Sequence, residues 1–129
     1  MTTLTVKTSR QTEMQDITSL VAQAVSQMGA TEGAVLVYVP HTTAGVTINE
    51  AADPSVAADI LMVMNSMVPW KADYRHGEGN SPAHVKATLT GSSVVVAVED
   101  SRLVLGTWQG IFFCEFDGPR TRQVMVKLL

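Results

Sequence analysis

One short segment, residues 33–39, limits what this chain can fold into more than any other stretch does. It is almost entirely apolar and rich in valine. Such a segment is typical of a central β-strand that is covered on both faces. Just before it, residues 17–28 carry apolar side chains at spacings of three and four, and Gly29 follows as a stop signal. This pattern predicts an amphipathic helix.

Two more helices are predicted from the signals that open them. Asp53-Pro54 and Ser81-Pro82 each place an N-cap residue before a proline at the first helical position. The second helix is expected to end at Pro69, and the third is expected to stop at Gly91. The predicted inner face of the second helix consists of Val56, Ile60, Val63 and Met67.

Further strands are predicted where β-branched or alternating apolar residues lie between turn signals. They lie near residues 4–6, 46–48, 93–98, 103–105, 108–116 and 122–128. Asp117-Gly118, between the last two, is a typical signal for a β-hairpin. No internal repeat or interdomain linker interrupts the pattern, so residues 1–129 are predicted to form a single domain.

The composition excludes several classes of function. Hydrophobic residues make up 46% of the chain and charged residues only 16%, so part of the surface is expected to be covered in an oligomer. A net charge of −3 argues against a nucleic-acid partner. No apolar run approaches the ~20 residues that span a bilayer. The single Cys114 and an N-terminus without signal-peptide features favour a cytoplasmic protein.

Histidines provide the strongest chemical signal. His76 and His84 lie in a polar stretch, residues 74–84, that no hydrophobic core requires, and His41 follows the apolar run. Neutral imidazole is a common ligand of divalent transition metals, and three protein ligands leave a fourth position open. The three histidines are therefore candidate metal ligands. Their spacing matches no standard zinc motif, and the alternative is that each is a hydrogen-bonding surface group.

Two polar residues between these histidines are further candidates. Glu78 is predicted to be a metal ligand or a general base, with a solvated loop acid as the alternative. Asn80 is predicted either to orient a ligand or to cap the helix that follows it.

Glu115 is unusual because it interrupts an apolar strand. Alternation places it on the same face as Ile111 and Phe113, where a carboxylate needs a partner such as Arg120 or Arg122. Both a structural ion pair and a catalytic role remain open. Arg75, Arg120 and Arg122 are also the candidate anion binders, since a guanidinium group matches phosphate oxygens in bidentate fashion.

Four blocks of sequence carry a family resemblance. They are His41-Thr42-Thr43-Ala44-Gly45-Val46-Thr47-Ile48-Asn49-Glu50, Tyr74-x-His76-x-Glu78-Gly79-Asn80-x-x-Ala83-His84, Leu105-Gly106-Thr107-Trp108-Gln109 and Glu115-Phe116-Asp117-Gly118-Pro119-Arg120. With these blocks in this order, the chain resembles the YjbQ-type family over nearly its whole length. The resemblance implies a compact α+β subunit, with largely antiparallel sheets and two to three helices, that assembles as a homotrimer. It also implies a metal site at His41, His76 and His84. Thr42 and Thr43, which lie in the first block, are candidate residues for binding a substrate or anion.

The resemblance implies an activity as well. The family is described as a secondary thiamine-phosphate synthase, which joins hydroxymethylpyrimidine diphosphate to a thiazole phosphate and releases diphosphate. Three imidazoles favour zinc as the cofactor, whereas a departing diphosphate suits magnesium. Two alternatives remain open: a zinc-dependent hydrolase of a small phosphorylated or cyclic substrate with Glu78 as general base, and a non-catalytic trimer that binds a metal or metabolite.

Overall fold

The computed structural model describes residues 1–129 as one α+β domain with eight strands and three helices. The strands are β1 (Thr2–Lys7), β2 (Glu13–Asp16), β3 (Gly33–Tyr38), β4 (Ala44–Glu50), β5 (Ser93–Glu99), β6 (Arg102–Leu103), β7 (Gln109–Glu115) and β8 (Thr121–Leu128). The helices are α1 (Thr18–Gln27), α2 (Pro54–Met67) and α3 (Ser81–Thr90). This confirms the predicted α+β class. None of the helices is long and apolar enough to cross a membrane.

The strands form two sheets that enclose the main core. The larger sheet has the order β1-β8-β3-β5-β6 and the smaller has the order β2-β7-β4, and every pairing is antiparallel. Strand β7 shows why the domain has two cores, because its side chains alternate between faces. Ile111 and Phe113 face the larger sheet, whereas Phe112 and Cys114 face α2 and α3. Burial raises the pKa of Cys114 to about 12, so this cysteine is an inert core residue.

Strand β3 lies in the middle of the larger sheet, as predicted, with β8 and β5 on either side. Covering on both faces is not observed within the chain. Val35 and Val37 are fully buried in the core, but Tyr38 on the opposite face is 40% exposed and Val95 on the neighbouring strand is 58% exposed. The outer face of β3 and β5 therefore carries apolar side chains that nothing in the chain covers.

Helix α2 begins as predicted, with the Asp53 carboxylate accepting a hydrogen bond from the Ser55 N–H at 2.9 Å. Its predicted inner face is wrong, since Val63 and Met67 are 47% and 66% exposed. Three other residues pack against the second core instead: Ala57, Leu61 and Met64. The helix is apolar on nearly all sides, so periodicity alone could not select the packed face.

The predicted hairpin at Asp117-Gly118 is also wrong. Strands β7 and β8 belong to different sheets, and the segment between them carries the chain across the core. Pro119 follows the glycine immediately and has no N–H with which to continue a ladder. Strand β2 was not predicted, because its four residues Glu-Met-Gln-Asp carry no β-branched side chain.

Candidate functional site

His76 and His84 come together at the surface of the domain. His76 lies in the loop after α2, and His84 lies in the first turn of α3, so the loop folds back onto the helix that it precedes. Their ring centroids are 5.3 Å apart and the rings are nearly perpendicular, at 87°. Two imidazoles that bind one tetrahedral ion at about 2.0–2.1 Å place their centroids roughly 5 Å apart. The observed centroid separation is close to that value.

His41 lies in the connection between β3 and β4. Its Nε2 accepts a hydrogen bond of 2.9 Å from the backbone N–H of Gln123 in β8. Burial lowers the pKa of His41, and the positive charges of Arg122 and Arg120 lower it further, while Glu115 acts in the opposite direction. The predicted three-histidine cluster is thus not assembled within one chain, and no group of three His, Cys, Asp or Glu residues comes within metal-binding distance.

A polar groove of about 420 Å³ joins the two histidine regions. Its lining consists of His41, Thr42, Ala44, His84, Ala87, Thr88, Gly91 and Ser92, with no carboxylate, lysine or arginine. Gly45 makes the groove compact, because a Cβ atom there would lie 2.5 Å from the carbonyl oxygen of Gly91. The close approach lets the N–H of Val46 donate to that oxygen, which fixes the start of β4 against the end of α3.

The other residues of the histidine loop have separate environments. The Glu78 carboxylate is 3.9 Å from Nε2 of His76 and is well exposed. Asn80 does not cap α3 with its side chain; its Nδ2 donates a hydrogen bond to the Asp117 carboxylate at 2.9 Å. Its Oδ1 is buried and has no partner. Arg75 is exposed and forms no ion pair in the chain, so its guanidinium group is free.

Glu115 and Arg122 form a buried ion pair between the two sheets. The carboxylate is 0% exposed and Arg122 only 3%. Burial alone would raise the pKa of Glu115, but hydrogen bonds from Arg122, the Asp117 N–H and Thr8 outweigh it and hold the pKa below its usual value. Arg122 also donates to the Thr43 hydroxyl at 2.9 Å. This pair corresponds to the structural alternative proposed from the sequence, with Arg122 as the partner.

The remaining candidate residues are divided between the core and the surface. Thr43 is 5% exposed and accepts a hydrogen bond from Arg122 of the buried ion pair. Its neighbour Thr42 is exposed and lines the groove. Arg120 is half exposed and pairs with Asp117 at 3.1 Å. Of the predicted anion binders, only Arg75 is both exposed and unpaired.

Lys86 is a residue that the sequence patterns did not single out. It is 2% exposed on the inner side of α3, its Nζ donates to Asn65 Oδ1 at 2.5 Å, and it has no carboxylate partner. Burial lowers its pKa. Its position three residues after Ala83, on the same helical face, is the signal that could have revealed a buried lysine.

Sequence comparison identifies the family. Residues 2–129 match the family described as "UPF0047 protein YjbQ-like", and the chain belongs to this family. It is 52% identical over 128 residues to the UPF0047 protein YugU of Bacillus subtilis strain 168, covering 98% of this chain and 97% of that protein. It is 48% identical over 124 residues to a UPF0047 protein of Methanocaldococcus jannaschii, covering 96% of this chain and 90% of the relative.

Solved structures give the same result. A YjbQ/UPF0047-family protein from Clostridium acetobutylicum has a TM-score of 0.98 at 51% identity, with both chains fully covered. A conserved hypothetical protein from Thermus thermophilus has a TM-score of 0.94 at 44% identity, again with both chains fully covered. The family resemblance noted from the four sequence blocks is therefore confirmed.

Proposed function

We propose that this protein is a metal-assisted enzyme that acts on a small phosphorylated molecule. In this proposal, His76 and His84 hold a divalent ion, with zinc favoured over magnesium because the donors are imidazoles. The observation that carries the proposal is the 5.3 Å separation of the two rings next to a groove without carboxylates. When bound, the ion would supply positive charge to a phosphoryl oxygen.

The residues around the groove would bind and orient the substrate. Thr42 and Ser92 offer hydroxyl groups, and the absence of acidic side chains from the lining removes like-charge repulsion of a phosphate. Arg75, close in sequence to His76, supplies a free guanidinium group that suits a phosphate or diphosphate. These features favour binding of an anion beside the two histidines.

Thiamine-phosphate synthesis is the transfer reaction that we propose for this site. The thiazole nitrogen attacks the methylene carbon of the pyrimidine, and the carbon–oxygen bond to diphosphate breaks with its electron pair leaving on the diphosphate. The protein would hold the two substrates in line and bind the leaving group, as proximity and charge stabilisation require. No proton is transferred to or from carbon in this step, so the step does not require Glu78 as a general base.

Hydrolysis of a small phosphorylated or cyclic substrate is the second candidate, and the position of Glu78 favours it. Its carboxylate lies 3.9 Å from His76 Nε2, where it would accept a proton from a water molecule at the histidine pair, and it would have to move closer to become a third ligand. Glu78→Gln separates these roles. Loss of turnover with zinc retained indicates a base, and loss of both indicates a ligand.

We further propose that the enzyme is a homotrimer. A closed ring needs two different complementary patches on each subunit, and the chain has two exposed apolar surfaces. One is the outer face of the larger sheet around Tyr38 and Val95, and the other is the face of α2 and α3 around Met67 and Leu89. Sedimentation equilibrium should give three times the chain mass of 13.8 kDa. A monomer would contradict this assembly.

The activity is tested by incubating the purified protein with the two thiamine precursors and zinc or magnesium. Thiamine phosphate and diphosphate should form in equal amounts, and His76→Ala and Arg75→Ala should reduce the rate strongly. Lys71→Ala, an exposed cation in the same loop, is the matched control and should retain the rate. Absence of product with the intact protein excludes the synthase and leaves the hydrolase to be assayed with phosphorylated and cyclic substrates.

A further inference from the structure

The hydrogen bond to His41 determines which ring nitrogen can act in the groove. A neutral imidazole has one nitrogen that carries a proton and one that carries a lone pair. Because the Gln123 N–H donates to Nε2 at 2.9 Å, the lone pair is on Nε2. The proton of the neutral ring is then on Nδ1, which leaves neither nitrogen free to bind a metal ion.

The bond has a clear structural origin. The β3–β8 ladder runs from Val35 opposite Leu128 to Tyr38 opposite Met125, so β3 ends before it reaches Gln123. The His41 ring occupies the place where β3 would continue beside β8. It accepts a hydrogen bond from the Gln123 N–H, which would otherwise have no partner on this side of β8. The ring is therefore fixed in one orientation by the backbone of a neighbouring strand.

The other ring nitrogen remains available. Nδ1 makes no hydrogen bond within the chain, and it is not among the buried atoms that lack a partner, so it is open to solvent. The same ring lines the groove together with Thr42 and Ser92. Thr88 is different, because its hydroxyl proton is already donated to the His84 carbonyl oxygen at 3.0 Å.

We propose that His41 is a neutral hydrogen-bond donor rather than a metal ligand, and that its Nδ1–H binds an oxyanion of the phosphate class in this groove. The inference deepens the proposed function, on which it rests for the location of the metal at His76 and His84. It assigns the two histidine regions separate tasks, with the pair holding the ion and His41 holding an oxygen of the ligand.

The tautomer is tested on the intact protein by long-range proton–nitrogen correlation of ¹⁵N-labelled histidines at neutral pH, with His41→Ala used for assignment. The expected result is a protonated Nδ1 and an unprotonated Nε2 for His41. Free imidazoles in water prefer the opposite tautomer, so the observation discriminates. A proton on Nε2 overturns the proposal.

Binding is tested with inorganic phosphate and zinc in separate titrations. His41→Ala should weaken phosphate binding roughly tenfold. His41→Asn places an amide N–H near the Nδ1 position and should recover most of the affinity, whereas His41→Gln, which mimics Nε2, should not. Zinc affinity should be unchanged in all three variants and lost in His76→Ala.

Each contrary result has a defined meaning. Loss of zinc in His41→Ala, or unchanged phosphate binding in that variant, overturns the role of His41. Failure of the intact protein to bind zinc removes the metal site from the proposed function, and the tautomer and phosphate measurements still decide the role of His41. Thermal unfolding of each variant checks that the fold is intact.

Discussion

Two pairs of polar side chains in this domain contrast in how completely they are satisfied. Glu115 and Arg122 are almost fully buried, and they bind each other, Thr8, Thr43 and a backbone N–H. His76 and His84 lie at the surface with their rings in contact and form no hydrogen bond to each other.

This difference distinguishes residues that stabilise the fold from residues that are available to bind a ligand. A buried charge must be paired and hydrogen-bonded, and once it is, little capacity remains for a ligand. Side chains whose donors and acceptors are not used within the chain can bind something else. We therefore assign the buried pair to the stability of the two-sheet core, and the exposed histidines to the proposed function.

Removing one member of the buried pair should have the largest effect on stability. Arg122→Met leaves Glu115 buried without its counter-charge, so the free energy of unfolding should fall by roughly 3–5 kcal/mol. Arg120→Met, which breaks the partly exposed pair with Asp117, is the matched control and should cost less than about 1 kcal/mol. Equal losses in urea titrations would contradict the assignment of the buried pair.

Low pH should destabilise the fold through the same Glu115–Arg122 pair. The folded-state pKa of Glu115 is below its ordinary value of 4.5, so its stabilising contribution is complete above that pH and disappears as the pH falls through the lower folded pKa. The double variant Glu115→Leu/Arg122→Met lacks this carboxylate. Its stability should therefore decline less between about pH 5 and pH 3 than that of the natural chain. Parallel curves would show that other carboxylates dominate.

Lys86 tests the converse case, a buried cation without an acid. Lys86→Met should raise the free energy of unfolding by about 1 kcal/mol, because it replaces a poorly solvated amine with an apolar chain of similar length. Lys71→Met, an exposed lysine, should change stability by less than about 0.5 kcal/mol. A strongly destabilised Lys86→Met would mean that the bond to Asn65 matters more than the desolvation of the amine.

The smallest effect on stability is expected at the histidine pair, His76 and His84. His76→Ala removes a side chain that is 44% exposed, so the unfolding free energy without added metal should change by less than about 0.5 kcal/mol. Adding zinc at about 100 times its dissociation constant should stabilise the natural chain by ~2.7 kcal/mol and the variant not at all. Thermal unfolding with and without zinc measures both quantities. Equal stabilisation of the two proteins would place the zinc elsewhere.

The parts of the fold that were predicted correctly depend on local signals. The Asp53 cap, the glycine after α1 and the alternation that turns Glu115 inward are all encoded within a few residues. The inner face of α2 was wrong because the helix is apolar all round, and the hairpin at Asp117 was wrong because sheet membership depends on distant strands.

In the candidate site, too, some contacts depend on local sequence and others depend on distant strands. His76 and His84 are only eight residues apart, with two glycines and the start of α3 between them, so their contact depends on local sequence. The hydrogen bond from the Gln123 N–H to His41 depends on where β3 ends beside β8. The two residues are 82 positions apart in the chain. No local pattern could reveal that contact, which is why sequence reasoning grouped His41 with His76 and His84.

The most direct test of the central claim is the zinc stoichiometry of the purified protein and of two single variants. The account predicts one zinc ion per chain in the natural protein and in His41→Ala, and none in His84→Ala. Zinc absent from the natural protein, or retained in His84→Ala, would contradict the claim that the exposed histidine pair is a metal site.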